Sequence, residues 1–359
     1  MPEEKHILIV NPFGIGDVLF STPLIRNLRF YYPDAFIAVA VQKKTAPLLE
    51  NNPNINRVIT FSRGDYKNLS RRSRLQALKL LLETIRQVQG LKLDICFDLS
   101  LEHRYSLLLK LLNVKQRIGY NYKKRGRFLT DKISIDGYRQ EHVVDYHLQL
   151  LKFLGLKPRE GNLELFLSQS QKDWARDFLD HNVIEKSDLL IGVAPFGGET
   201  FGSRALIKHW PVENYAKLCD LLIERLKAKI IILSGPQEKA GLNHLLSLMH
   251  NKAVHTTEAS IMQLAAVTAG CRLVISNDTG PLRFANALNV PSLSLFGPVD
   301  EKVYGPYPAS CRNAVLKKDF TCRPCYLNFR VSECLYQRRC LTSIKIEEVF
   351  LEAENLLNK

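Results

Sequence analysis

The 359-residue chain has no long hydrophobic run. Near its amino terminus only Ile7 to Val10 are consecutive apolar residues, too few for the apolar segment of a secretory signal. Nowhere does an apolar stretch approach the ~20 residues that cross a bilayer. Short repeats and low-complexity segments are also missing. With 46% hydrophobic and 24% charged residues, 19 Gly and 16 Pro, collagen-like and disordered classes are excluded. These absences leave a globular protein expected to be cytoplasmic. Its length exceeds what one core organises, so two domains of roughly 150 to 180 residues are expected.

What the chain does have is an uneven positive charge. Of its formal net charge of +14, most lies early: residues 1–160 carry 27 Lys and Arg against 15 Asp and Glu, and residues 161–359 carry 23 against 21. The excess concentrates between Arg57 and Arg139, including Arg71, Arg72 and Arg74 and the run Lys123, Lys124, Arg125 and Arg127. An anionic partner should therefore meet the first half. Nucleic acid, an acidic lipid surface and an acidic glycan all suit that field, as does a plain solvated surface.

Hydrophobic patterning alternates strand and helix. Ile7 to Val10 reads as a strand, then a glycine-rich turn, then an apolar-periodic helix from Val18 to Phe30. Phe36 to Val41, Val58 to Phe61 and Ile95 to Phe97 read as further strands, with helices at 46–50, 75–88 and 107–112. Periodicity and charge balance both change near Lys157 to Gly161, and the same grammar then restarts with strands at 189–194, 230–233, 273–276 and 292–296. The expected organisation is α/β: residues 1–165, residues 166–344, and a last amphipathic helix over 345–359. Open α/β sheets bind ligands beyond the carboxyl ends of their strands, which directs attention to the strand-to-helix turns.

Four turns are chemically unusual. Gly14-Ile15-Gly16-Asp17 fits neither G-x-G-x-x-G nor a Walker sequence. Its glycines allow close backbone approach, and Asp17 in the first helical turn suits a proton-accepting carboxylate. Asn277-Asp278-Thr279-Gly280-Pro281, with Arg283 beyond, combines helix-start N–H groups, a hydroxyl and a guanidinium into an anion site. Arg204 and Lys208 precede His209-Trp210-Pro211, where a lysine can face a diphosphate. Gly235-Pro236-Gln237-Glu238 follows a strand, placing Gln237 or Glu238 to bind ribose hydroxyls. A capped helix start or a solvated loop charge is the bland reading of each.

Taken in this order, the turns resemble glycosyltransferase family 9, the group containing the lipopolysaccharide heptosyltransferases, from Ile7 to Val349. The specific motifs are Gly14-Ile15-Gly16-Asp17-Val18-Leu19 with Thr22-Pro23-Leu24, and Asp278 through Leu288 with Leu295-Phe296-Gly297-Pro298 beyond. The resemblance implies a GT-B fold: two Rossmann-like domains facing across a cleft, acceptor on the first, nucleotide sugar on the second, and a closing helix that crosses back to the first. It also implies inverting transfer without a catalytic metal, with Asp17 matching the general base, Lys208 the diphosphate lysine, and Asp278, Thr279 and Gly280 the donor phosphate loop. Arg283 stands where the family usually has His, keeping a positive donor that does not titrate near neutrality. Gly14, Gly16, Lys123, Lys124, Arg125 and Arg127 are then acceptor-side residues. The implied substrates are an ADP-linked heptose and an acidic lipid-linked inner-core saccharide at the inner face of the cytoplasmic membrane, with no nucleic acid. A non-catalytic sugar-binding relative and a nucleic-acid binder using the basic half are the rival readings.

Eight cysteines remain. Cys96, Cys219 and Cys271 sit in strand or helix patterns as small apolar residues. Cys322, Cys325, Cys334 and Cys340 group four thiols within 19 residues, beginning with C-x-x-C. They suit a structural zinc, paired disulfides or unlinked thiols; four protein ligands leave no open position for a catalytic metal.

Overall fold

A computed structural model describes residues 5–61, 86–197 and 205–359. The chain forms two compact units: Met1–Tyr138 with Val143–Phe166, and Arg139–His142 with Leu167–Lys359. Each holds a six-stranded sheet whose strand pairs are all parallel.

In the first unit the strands are β1 (His6–Asn11), β2 (Phe36–Gln42), β3 (Arg57–Phe61), β4 (Ile95–Asp98), β5 (Gln116–Tyr122) and β6 (Asp131–Ile135), in the order β3-β2-β1-β4-β5-β6. In the second they are β7 (Leu190–Ala194), β8 (Lys229–Ile232), β9 (Val254–His255), β10 (Leu273–Asn277), β11 (Ser292–Phe296) and β12 (Asn313–Lys317), in the order β12-β11-β10-β7-β8-β9. Both orders are the doubly wound 3-2-1-4-5-6 pattern, so strand order reverses between β1 and β4 and again between β7 and β10. The two expected Rossmann-like domains are present.

Central strands carry apolar residues on both faces, as covered parallel sheets require. Along β7, Ile191 and Val193 enter one core with Leu273, Ile275, Leu293 and Leu295, while Leu190 and Ala194 enter another with Val274 and Ala285. In the first unit Leu8, Val10, Ala38, Ala40 and Cys96 share a core with Leu109.

The helix expected over 18–30 is two helices, α1 (Ile15–Phe20) and α2 (Thr22–Tyr31). Pro23 lacks an N–H to continue the ladder. The Ser21 and Thr22 hydroxyls donate to the carbonyls of Val18 and Leu19, both at 2.7 Å, closing the first helix. The expected helix at 46–50 is a short 3₁₀ turn, Ala46–Leu48, and the expected helix at 75–88 lies mostly outside the described residues.

The last helix, expected over 345–359, is α3 (Ile346–Leu357). Its buried Val349, Phe350, Ala353 and Leu356 form one stripe at helical spacing. That stripe enters the second unit's core with Ile275, Leu293, Leu295 and Trp210. The nearest apolar surface is the face of the sheet the chain has just completed, and each large side chain buried there contributes about 1.5–3 kcal/mol. No helix among the described residues is long and apolar enough to cross a membrane.

Candidate functional site

Two buried asparagines end the strands that carry the chemistry. In the first unit, Asn11 closes β1 and is 1% exposed. Its Oδ1 accepts from the Phe13 N–H at 3.3 Å and its Nδ2 donates to the Asp17 carbonyl at 2.9 Å. The asparagine therefore fixes the Pro12 to Gly16 turn and places half-buried Asp17 in the first turn of α1, beyond the carboxyl end of the sheet. Gly14 caps the helix through its backbone alone.

Beside it, at the end of β4 and in register with Val10, lies Asp98. Burial pushes its carboxyl up to about 6 against the opposing hydrogen bond from Ser100. Sequence reading missed Asp98; a carboxylate closing the apolar run Ile95-Cys96-Phe97 was the available signal.

The basic run forms the turn after β5, at the same end of the sheet. Lys123 and Lys124 hold left-handed backbone at φ 48° and 60°. Lys123 lies 5.0 Å from the Tyr122 ring centre, Arg125 pairs with Glu102 at 3.0 Å, and Arg127 lies 4.7 Å over Phe128. Lys123, Lys124 and Arg127 are exposed.

In the second unit, fully buried Asn277 closes β10. Its Oδ1 accepts from the Trp210 N–H at 3.1 Å, and its Nδ2 donates to the Pro195 carbonyl at 2.9 Å. One amide thus ties together the turns after β7 and β10 and the segment carrying Lys208. The sequence showed Asn277 but not its partners, which lie 67 and 82 positions away.

Asp278 follows, 7% exposed. Its Oδ2 accepts from Lys208 Nζ at 2.6 Å and its Oδ1 from the Arg283 guanidinium. Burial pushes this carboxyl up, but Lys208 and Arg283 pull it down by more, so it lies below its ordinary value. Arg283, 3% exposed, also donates through Nη1 to the Gly305 carbonyl at 3.1 Å. His142 Nε2 shares that carbonyl at 3.2 Å, and its ring stacks on Tyr307.

Thr279 caps the helix Gly280–Ala287 without a side-chain cap bond; its hydroxyl contacts Ser276 Oγ at 3.0 Å. The helix start therefore presents backbone N–H groups and a positive dipole beside two cations. Gly197, at φ +105°, makes room for this loop: a Cβ there would lie 2.9 Å from the Thr279 side chain. His209 is bound to the Gly197 carbonyl at 2.7 Å and held below its ordinary value, chiefly by burial and against that bond, with Arg338 and Lys208 adding to the lowering.

The other expected residues are dispersed. Glu238 Oε2 accepts from the Gly235 N–H at 2.8 Å, so its carboxylate closes its own turn, and Gln237 is exposed. Arg204, Arg71, Arg72 and Arg74 lie outside the described residues. Cys322, Cys325, Cys334 and Cys340 form no disulfide and lie close enough that burial and neighbouring thiols raise Cys325 and raise Cys340 to about 11. Among the described residues, however, no group of three or more His, Cys, Asp or Glu is arranged to hold a metal ion.

Against known proteins, residues 81–334 match the sequence family described as glycosyltransferase family 9 (heptosyltransferase). The lipooligosaccharide heptosyltransferase 2 of Campylobacter jejuni is 24% identical over 98% of both chains. The lipopolysaccharide heptosyltransferase 3 of Escherichia coli is 25% identical over 81% of this chain and 83% of its own. Among solved structures, a glycosyl transferase family 9 protein from Veillonella parvula superimposes with a TM-score of 0.82 at 25% identity, over 100% of this chain and 99% of its own. The E. coli heptosyltransferase WaaC with ADP gives 0.73 at 19% identity, over 98% and 99%.

Proposed function

Because the chain belongs to glycosyltransferase family 9, we propose that it transfers heptose from ADP-heptose, with inversion, onto an acidic lipid-linked saccharide of the lipopolysaccharide inner core. The observation that carries this reading is the Lys208–Asp278–Arg283 cluster at the start of the helix after β10. It gathers a buried guanidinium, a largely buried ammonium, a helix N-terminus and a hydroxyl where a doubly wound sheet receives a phosphate. The reading is supported by relatives named as heptosyltransferases and by a solved enzyme of the same fold with ADP.

In the proposed reaction Asp17 accepts the proton of the acceptor hydroxyl as its oxygen attacks the anomeric carbon. The bond from that carbon to the diphosphate breaks, and its electron pair leaves with ADP. Lys208, Arg283, Thr279 and the Gly280 N–H stabilise the departing charge. Gln237 and Glu238 serve the ribose, and Arg204 adds charge near the phosphates. The exposed basic turn Lys123 to Arg127 meets the anionic acceptor with Gly14 and Gly16, at the inner face of the cytoplasmic membrane. No step uses a metal. A structural zinc on Cys322, Cys325, Cys334 and Cys340 rests on thiol spacing and proximity, and metal analysis of the purified chain decides it.

The test is ADP release from ADP-heptose, with lipid-linked core acceptor present or absent and with chelator. Acceptor-dependent release that survives chelation supports the reading. ADP binding without turnover makes the chain a non-catalytic sugar-binding relative, and binding of no nucleotide removes the donor site.

A further inference from the structure

We propose that Arg338, in the cysteine-rich tail, is a positioning residue that closes the turn presenting Lys208. The proposal rests on the assignment of Lys208 to the donor diphosphate. Arg338 Nη1 donates to the Leu206 carbonyl at 2.8 Å and to the His209 carbonyl at 3.1 Å. One guanidinium nitrogen therefore bridges the peptide groups on either side of Lys208. Just downstream, the Trp210 N–H is held by Asn277 and its indole N–H donates to the Ile344 carbonyl at 3.0 Å. A lysine has four rotatable bonds, and holding its ammonium in place costs less when its backbone origin is fixed. Arg338 fixes that origin from 132 and 129 residues away.

The backbone of Arg338 is itself constrained. It sits at φ +58°, ψ 35°, a left-handed conformation uncommon outside glycine. Its N–H donates to Cys334 Sγ at 3.2 Å, and its carbonyl accepts from Leu341 and Thr342 at 2.8 and 3.0 Å. Strain of this kind persists where the surroundings over-determine it. The same tail is anchored elsewhere: Arg323 Nη2 donates to the Val299 carbonyl at 3.0 Å, and the Cys325 and Tyr326 N–H groups reach the Pro298 carbonyl at 3.0 Å. The tail is thus a brace with one strut on the lysine turn and another on the turn after β11. Both bonds come from Nη1, and a lysine ammonium would end one bond short of it, at the place of the guanidinium carbon, so lysine at 338 is not equivalent.

The experiment compares full-length wild type with R338A, R338K and R339A, measuring ADP affinity by calorimetry and donor KM and kcat by ADP release. Arg339 is the neighbouring, exposed arginine and controls for charge alone. R338A is expected to bind ADP about tenfold more weakly and to raise donor KM similarly, with kcat changed less than about threefold. R338K should fall between R338A and wild type, and R339A should match wild type. Wild-type affinity in R338A, an equal loss in R339A, or a fall in kcat alone overturns the brace. If circular dichroism shows R338A unfolded, R338K carries the test, and wild-type affinity there overturns it. Wild type that binds no ADP refutes the donor-site reading instead, which keeps the two failures apart.

Discussion

Asp278 binds two cations at once, so converting it to asparagine removes a negative charge from between them at almost constant volume. The Lys208 and Asp278 side chains are 11% and 8% exposed, and that of Arg283 is 4% exposed. Breaking a buried pair by removing one partner costs about 3–5 kcal/mol. Arg283 retains its bond to the Gly305 carbonyl, which puts the expected loss for D278N at the lower end, about 3 kcal/mol. For a unit of this size that lowers the melting temperature by about 6–12 °C. The carboxyl is held below its ordinary 3.8, so its contribution is present at neutral pH and is lost as pH falls through and below that value. The gap between wild type and D278N should therefore narrow below about pH 4. Scanning calorimetry with and without inorganic pyrophosphate supplies the assay. Pyrophosphate should raise the melting point of D278N more than that of wild type, because the anion then meets two cations that no carboxylate neutralises. A variant melting within about 2 °C of wild type, or equal pyrophosphate shifts in both, refutes the reasoning.

For Asp17→Asn, transfer should fall about 10²–10⁴-fold while ADP affinity stays within about twofold; retained turnover removes the base role. Asp98 is raised from 3.8 to about 6 by burial, so the fold binds its proton more tightly than the unfolded chain does. Wild-type stability from this group therefore declines as pH rises between those values. D98N should gain about 3 kcal/mol over wild type near pH 7 and almost nothing near pH 3.5, read from urea midpoints; the opposite trend is the contrary result. Phe350→Ala should destabilise the second unit by about 3 kcal/mol in urea because α3 completes its core. A loss below about 1 kcal/mol argues that the helix is only loosely docked.

The central strands and the chemical turns were legible because their signals are local. Apolar runs such as Ile7 to Val10 stop at Asn-Pro or Asn-Asp-Thr-Gly, and that punctuation marks the end of a buried parallel strand. Some strands were not legible: β5 and β6 mix polar and apolar residues, and β12 carries only partial burial. The amphipathic stripe of α3 could be read, but no periodicity tells which sheet a stripe will cover. What Asn277, His142 and Arg338 hold escaped for another reason. Their work is done through carbonyls and amides 67 to 163 residues away, and backbone groups carry no residue-specific signal in a sequence. Asp278 was expected as a phosphate-loop residue, and only its burial showed it as the anion that two cations share.

Residues Arg139–His142 belong to the second unit although Tyr138 before them and Val143 after them belong to the first. The polypeptide thus visits the second unit briefly, returns, and enters it for good at Leu167. For protein engineers this means that no single crossover separates the halves cleanly. A chimaera joined at 166/167 inherits His142, and with it half of what holds the Gly305 carbonyl beside Arg283, from the parent that supplied the other half. Exchanging sugar-donor preference between relatives by recombination therefore calls for three junctions, at 138/139, 142/143 and 166/167, with the tetrapeptide travelling alongside the carboxyl-terminal portion.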